Sequence, residues 1–193
     1  MWTAIISIVI SGIITDNIIF SQTLGICPFL GVSKKLDSAV GMGLAVTFVI
    51  VLSSIVCHFL YMLLELLELT YLQTILFILI IAALVQLLDI VLKRASPSLY
   101  TSLGVYLALI TTNCAVLGTA NSVVSNGYGL LETFVAALSV GLGFTLALIL
   151  MAGVREKLQR THIPKPFQGF PIALIIAGIM AMAFYGFSGL SFT

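Results

Sequence analysis

Long apolar stretches separated by short polar loops run through the whole chain. The stretches cover residues 2–31, 38–64, 70–92, 98–120, 130–154 and 170–191. A helix needs about 20 apolar residues to cross a bilayer, and each stretch meets that length. The pattern therefore predicts an all-α integral membrane protein with six transmembrane helices, forming a single transmembrane domain over residues 1–193.

The composition agrees with a membrane protein and argues against several other classes. Apolar residues make up 61% of the 193 positions, and charged residues make up only 8%. The eight basic and seven acidic side chains cannot cover the surface of a soluble enzyme of this size. A net charge of +1 argues against a nucleic-acid binder. The high hydrophobicity argues against a disordered segment.

The basic residues all lie in the first, third and fifth loops. They are Lys34, Lys35, Lys93, Arg94, Arg155, Lys157, Arg160 and Lys165. Because cytoplasmic loops of membrane proteins are enriched in Lys and Arg, the odd loops are expected to face the cytoplasm and both termini the outside. The alternation supports six spans, since a missed or extra span would disturb it.

Two short patterns each occur twice along the chain. Residues 27–31 and 114–118 share the pattern C-x-x-L-G, in the first and fourth segments. Residues 40–43 and 140–143 share the pattern V-G-x-G, in the second and fifth segments. This order is what a duplicated three-helix unit predicts, although short apolar patterns can also recur by chance.

A duplicated unit with three spans must insert its second copy upside down. The chain is therefore interpreted as two inverted three-helix repeats, about residues 1–94 and 95–193. In transporters with inverted repeats, the working site lies near the middle of the membrane, in broken helices at corresponding positions. The two cysteine patterns occupy such corresponding positions.

The segments that carry the two repeated cysteines have the residues of broken helices. Gly25 and Pro28 flank Cys27 in the first segment, and the polar run 111–113 directly precedes Cys114 in the fourth. Proline removes a backbone donor and glycine loosens a helix. Both segments are therefore predicted to break near the middle of the membrane, which would allow the cysteines to share one site.

Thiolates bind soft metals such as zinc, copper(I) and the iron of iron–sulfur clusters. A [2Fe–2S] cluster takes four cysteines, so Cys27 and Cys114 would form half of such a site. Two other functions stay open at this point: a transporter or metal permease with a soft-metal site, and a scaffold that holds cofactor subunits. Cys57, in an unbroken segment, is interpreted as a small buried hydrophobe.

Asp16 lies deep in the first segment and is followed by Asn17. An ionisable residue inside the membrane is expensive and indicates function by default. The carboxylate could take a proton, bind Na⁺ with Asn17, or pair with a neighbouring subunit. A polar contact that holds helices together is an equal alternative. Asp16, Asn17, Thr112 and Asn113 are the candidate residues of an ion path.

The sequence around both cysteines resembles that of the A-type membrane subunits of Rnf complexes, which are ion-translocating ferredoxin:NAD⁺ oxidoreductases of bacteria and archaea. The matching segments are LGICPFLGVSKKL (24–36), LITTNCAVLG (109–118), AGVREKL (152–158) and FYGFSGL (184–190). The resemblance covers nearly the whole chain. The alternative is the E-type subunit of the Na⁺-translocating NADH:quinone oxidoreductase, and Pro28 and Gly31 favour the Rnf branch.

The resemblance implies a function and a set of partners. By the motif match, Cys27 and Cys114 would be two of the four ligands of an intramembrane [2Fe–2S] cluster shared with the paralogous E-type subunit of the Rnf complex. Electron transfer would be coupled to Na⁺ or H⁺ movement, together with the D, G, B and C subunits in the cytoplasmic membrane. The sequence shows no flavin-attachment or nucleotide motif, so the chain is expected to be inactive alone.

Overall fold

A computed structural model of the chain describes residues 2–33, 35–95, 109–110, 112–159, 161 and 164–187. This described part is all-helical and contains no strand. The α-helices are α1 (Trp2–Ile10), α2 (Ile26–Val32), α3 (Leu36–Leu66), α4 (Gln73–Ala95), α5 (Cys114–Ser125), α6 (Leu130–Gln159) and α7 (Phe170–Tyr185). A π-helical turn, Ser11–Thr15, follows α1 directly. Two short 3₁₀ turns cover Thr70–Leu72 and Lys165–Phe167.

Three of the described helices are long and apolar enough to cross a membrane. They are Leu36–Leu66, Thr70–Ile90 and Leu130–Gln159. Shorter apolar helices cover Ile5–Thr15, Cys114–Ser125 and Phe170–Tyr185. The first half of the predicted fourth span falls mainly on residues 96–108, outside the described part. The prediction of an all-helical, apolar fold is confirmed, whereas six spans in two inverted repeats stay a prediction.

The antiparallel helices α3 and α6 approach each other closely at two glycines. A Cβ atom on Gly43 would stand 2.6 Å from Cγ2 of Thr145, and one on Gly141 would stand 2.5 Å from Cγ2 of Thr47. Each threonine hydroxyl donates to the glycine carbonyl four residues earlier in its own helix, at 2.7 and 2.9 Å. The two hydroxyl oxygens lie 3.2 Å apart. The helices therefore pack through two identical G-x-x-x-T units.

These reciprocal contacts relate α3 and α6 by a local two-fold axis. The V-G-x-G pattern aligns Gly41 with Gly141, whereas the local axis makes Gly43, which meets Thr145, equivalent to Gly141, which meets Thr47. Gly41 has open space around it among the described residues. The repeat that the V-G-x-G match suggests therefore stays a prediction.

Polar contacts gather the loops into two groups. Arg155 donates to Ser33 Oγ at 2.9 Å and so joins the fifth loop to the first. Gln73, next to the second loop, donates to Asn121 Oδ1 in the fourth at 2.9 Å. The described parts of the first and fifth loops thus lie near the start of α3, and those of the second and fourth lie near its end. The orientation of these two ends in a membrane stays a prediction. The third loop is described only up to Ala95, the last residue of α4.

Replacing Gly43 with alanine should destabilise the protein. The added methyl group meets Thr145, whose rotamer is restricted by its branched Cβ and by its hydrogen bond to Gly141. Overpacking of this kind costs about 1–3 kcal/mol, so the thermal unfolding midpoint of the protein in detergent should fall. The control is Gly41→Ala, which fills open space and should be neutral or slightly stabilising. Equal losses in both variants would contradict this explanation.

Candidate functional site

The first apolar segment is broken between Thr15 and Ile26. The π-helical turn that follows α1 ends at Thr15, and the backbone becomes helical again only at the start of α2. Within the break, Thr23 and Gly25 have φ angles of 55° and 79°. Irregular backbone at membrane depth is tolerated only where protein or a cavity surrounds it. The contacts of this segment therefore decide what the break can do.

Asn17 fastens the break to α6. Its side chain is 1% exposed. Its Nδ2 group donates to the carbonyl oxygens of Ile13 at 3.1 Å and Gly143 at 2.9 Å. Its Oδ1 accepts from the N–H of Ile19 at 3.1 Å. A Cβ on Gly143 would stand 2.5 Å from the carbonyl oxygen of Gly12, so glycine at this position permits the approach.

The end of the break meets the start of α5 through Gly25. The N–H of Gly25 donates to Sγ of Cys114 at 3.0 Å. A Cβ on Gly25 would stand 2.6 Å from Cε2 of Phe144 and 3.2 Å from Cβ of Ala115. Glycine is therefore required here for its positive φ and for its lack of a side chain. One turn further along α5, a Cβ on Gly118 would meet the side chain of Leu24 at 2.5 Å.

The two repeated cysteines lie at the beginnings of two helices. Cys27 is the second residue of α2, and Cys114 is the first residue of α5. Both cysteines are exposed on this chain, whereas Cys57 is fully buried in α3, as predicted for a packing residue. The first backbone N–H groups of a helix have no partner within it, and at the start of α5 the N–H of Ala115 bonds instead to Oδ1 of Asn113. The donor observed at a cysteine sulfur is the N–H of Gly25, which bonds to Sγ of Cys114.

Asn113 caps α5 and carries a buried donor with no partner among the described residues. Its Oδ1 accepts from the N–H of Ala115 at 3.0 Å, as an N-cap side chain does. Its Nδ2 makes no hydrogen bond within the part of the chain that the structure describes, in a residue that is 5% exposed. Leaving a buried donor unpaired costs about 1–3 kcal/mol. The unpaired donor is adjacent in sequence to Cys114, and an acceptor supplied there by a ligand would satisfy it.

A polar cavity of about 260 Å³ surrounds Asp16, and we call it the Asp16 chamber. The hydroxyl of Ser11 donates to Oδ2 of Asp16 at 2.6 Å. The other polar side chains in its wall are Gln22, Thr119, Ser122, Asn126, Tyr128 and Ser139. The wall extends along α5 from Gly118, one turn after Cys114, to the far end of that helix. One carboxylate and several neutral oxygens thus line a space that water can occupy.

The structure separates the four residues suggested for an ion path. Asp16 lines the Asp16 chamber, whereas Asn17 borders a second cavity of about 230 Å³ beside Phe184. Thr112 and Asn113 lie directly before α5, next to Cys114. The sequence therefore grouped residues that lie in three different places: the Asp16 chamber, the second cavity and the start of α5.

Sequence reasoning missed the wall that α5 contributes to the chamber. Thr119, Ser122 and Asn126 follow one another at spacings of three and four residues, which places them on one face of a helix. This polar stripe is visible in the sequence once the fourth segment is read as a helix with two faces. The approach of Gly12 to Gly143 has no such signal, because it depends on how α1 and α6 pack.

This geometry defines the chain as a helical membrane protein with two exposed cysteines at breaks in its apolar segments. The chain belongs to the Rnf-Nqr family of membrane-protein subunits, whose family model matches residues 5–191. It is 57% identical over 187 residues to the A subunit of the Na⁺-translocating ferredoxin:NAD⁺ oxidoreductase complex of Acetobacterium woodii, with 96% of this chain and 97% of the relative covered.

Two further relatives are named as A subunits of ion-translocating oxidoreductase complexes. The protein of Syntrophotalea carbinolica is 50% identical over 184 residues, which cover 95% of each chain. The protein of Pseudoalteromonas translucida is 46% identical over 190 residues, which cover 97% of this chain and 98% of the relative. The resemblance to A-type subunits, first seen in the two cysteine motifs, is confirmed over nearly the full length.

Replacing Asn17 with alanine should loosen the break. The change removes the donor to Gly143 and leaves buried backbone groups unpaired, at a cost of about 1–3 kcal/mol. Amide hydrogen exchange across residues 16–25 should become faster. The control is Gln22→Ala, which truncates an exposed side chain in the same segment. If both variants exchange alike, Asn17 does not hold the break.

Proposed function

We propose that the chain is the A-type membrane subunit of an ion-translocating ferredoxin:NAD⁺ oxidoreductase complex and that it holds half of an intramembrane [2Fe–2S] cluster. The observation that carries the proposal is the meeting of the two cysteine segments, where Gly25 donates to Sγ of Cys114 at 3.0 Å. Cys27 and Cys114 are both exposed on the chain. Since a [2Fe–2S] cluster takes four thiolates, a paralogous partner, the E-type subunit, would supply the other two.

The residues around the cysteine pair suit an anionic iron–sulfur centre. The N–H of Gly25 already donates to a cysteine sulfur, and Nδ2 of Asn113 is a buried donor that has no partner among the residues the structure describes. Donors of this kind tune the reduction potential of iron–sulfur centres. When bound, the cluster would supply a one-electron relay. The chain itself would supply the two sulfur ligands, with the N–H of Gly25 directed at Sγ of Cys114.

The same proposal assigns the ion route to the Asp16 chamber. Asp16, whose side chain is exposed on this chain, and Ser11 offer oxygen atoms that a cation or a proton can use. The chamber wall begins at Gly118, about one helical turn from Cys114. An electron near the cysteines would attract a cation in the chamber, because charges interact strongly in a medium of low dielectric constant.

The other three residues suggested for an ion path would act between the Asp16 chamber and the cysteine pair. Thr112 and Asn113 continue the proposed route from the chamber toward the cysteine pair, at the break before α5. Asn17 holds the first break against α6 through Gly143. An ion passing one break would therefore pass close to the other, which is how inverted repeats form one site at mid-membrane.

The proposed topology has six spans in two inverted repeats, about residues 1–94 and 95–193. Two observations support it: the reciprocal contacts of α3 with α6, and the grouping of the odd and even loops at opposite ends. Both termini would lie on the outer side of the cytoplasmic membrane of a bacterium or archaeon. The chain would bind the E-type subunit directly, would assemble with the D, G, B and C subunits, and would not be active alone.

Replacing Cys27 or Cys114 with serine should abolish the cluster signal. The measurement is the electron paramagnetic resonance spectrum of the reduced chain, purified together with its paralogous partner. Because Cys57 is fully buried in α3, the control Cys57→Ala should keep the signal. A soft-metal permease predicts transport by this chain alone without a stable cluster. Unchanged spectra in both serine variants would contradict the ligand assignment.

Replacing Asp16 with asparagine should uncouple ion movement from electron transfer. The change keeps the size of the side chain and removes the charge that would attract a cation, so ion uptake into inverted vesicles should fall severalfold. Electron transfer from ferredoxin to NAD⁺ should fall less. The control is Asp37→Asn, at an exposed carboxylate in the first turn of α3. Equal losses of both activities in Asp16→Asn would count against an ion role.

A further inference from the structure

The short helix that carries Cys27 is held at its end by a charged side chain from another helix. Nη1 of Arg155, on α6, donates to the carbonyl oxygen of Leu30 at 2.8 Å and to Oγ of Ser33 at 2.9 Å. Leu30 belongs to the last turn of α2, whose carbonyls have no intrahelical partner. Ser33 is completely buried. Arg155, on another helix, therefore provides a hydrogen-bond donor for a carbonyl group in the last turn of α2.

A helix of this size needs such support. With seven residues, α2 is too short to be stable by itself in isolation. Cys27 precedes Leu30 by three residues, which is about 4.5 Å along the helix axis. The Arg155 contact thus lies about one turn from Cys27. At the opposite end of α2, its N-cap residue Gly25 is fixed against Cys114.

Arg155 is well placed to transmit the position of α6 to Cys27. The same helix packs on α3 through Gly141 and Thr145, and it holds the break through Gly143. Arg155 is half-buried, and its cation lies at the end of α2 where the helix dipole is negative. Lys157, two residues further along α6, is exposed. The two side chains therefore differ in contact with α2 and not in charge.

We propose that Arg155 is a positioning residue for Cys27. It clamps the Cys27 helix to α6, and its cation, bound at Leu30 about one turn along α2 from Cys27, raises the reduction potential of the electron carrier held there. The second half of this inference rests on the proposed function. The first half concerns only this chain and can be tested without a cluster.

The test uses four variants in the complex and in the full chain. Arg155→Met removes the charge and both hydrogen bonds, Arg155→Lys keeps the charge, Ser33→Ala removes one acceptor, and Lys157→Met is the control. The first measurement is a redox titration of the cluster followed by electron paramagnetic resonance. The second is the rate of Cys27 alkylation by a maleimide in the iron-free chain, followed by mass spectrometry of the peptide.

Arg155→Met should lower the ratio of reduced to oxidised cluster severalfold at a fixed ambient potential, because a nearby positive charge favours the added electron. It should also speed the alkylation of Cys27 severalfold. Arg155→Lys should restore most of the ratio of reduced to oxidised cluster. Ser33→Ala should change only the alkylation rate of Cys27. The control Lys157→Met should change neither quantity. A loss of stability alone would not produce rescue by lysine.

The outcomes separate this inference from the proposed function. If the wild-type pair of subunits holds no iron, the proposed function fails, and the alkylation rates still decide whether Arg155 clamps α2. If Arg155→Met does not accumulate, Arg155→Lys and Ser33→Ala provide the comparison. The inference would be overturned by two results together. Cys27 would be alkylated at the wild-type rate in both Ser33→Ala and Arg155→Met, and the ratio of reduced to oxidised cluster would be unchanged in Arg155→Met.

Discussion

The fold depends on how closely other segments can approach α6. Inside a bilayer, apolar helices gain little from avoiding water, so close packing and hydrogen bonds decide how they associate. Helix α6 permits this packing at Gly141, against α3, and at Gly143, against the π-helical turn after α1. Further along, Phe144 contacts Gly25 and Arg155 holds the end of α2. One helix thus positions both the core and the broken segment.

The candidate site follows from that constraint. Because Asn17 and Gly25 tie the break to α6 and to the start of α5, the backbone near Cys27 lies against Cys114 although 87 residues separate the two cysteines. The same break leaves space beside Asp16 for a polar chamber. Asp16 and Cys27 therefore lie on the first segment, and the start of α5 brings Cys114 against the end of its break. Such proximity is what coupling between an electron and a cation requires, since charge interactions weaken with distance.

Much of this arrangement could be predicted from local sequence. Apolar length predicts helices, Gly25 and Pro28 predict a break, and the repeated C-x-x-L-G pattern predicts that the two cysteine segments meet. The sequence could not predict contacts that need the packed structure. The contacts of Gly43 with Thr145 and of Gly141 with Thr47, the chamber wall and the Arg155 contact all depend on which helix faces lie opposite each other.

We propose that this chain is one half of a shared iron–sulfur site, with Cys27 and Cys114 as its ligands. The iron and acid-labile sulfide content should be measured on the chain purified alone and on the chain purified together with its paralogous partner. We expect one [2Fe–2S] cluster per pair of subunits and none on the chain alone. A pair without iron, or a complete cluster on the isolated chain, would contradict it.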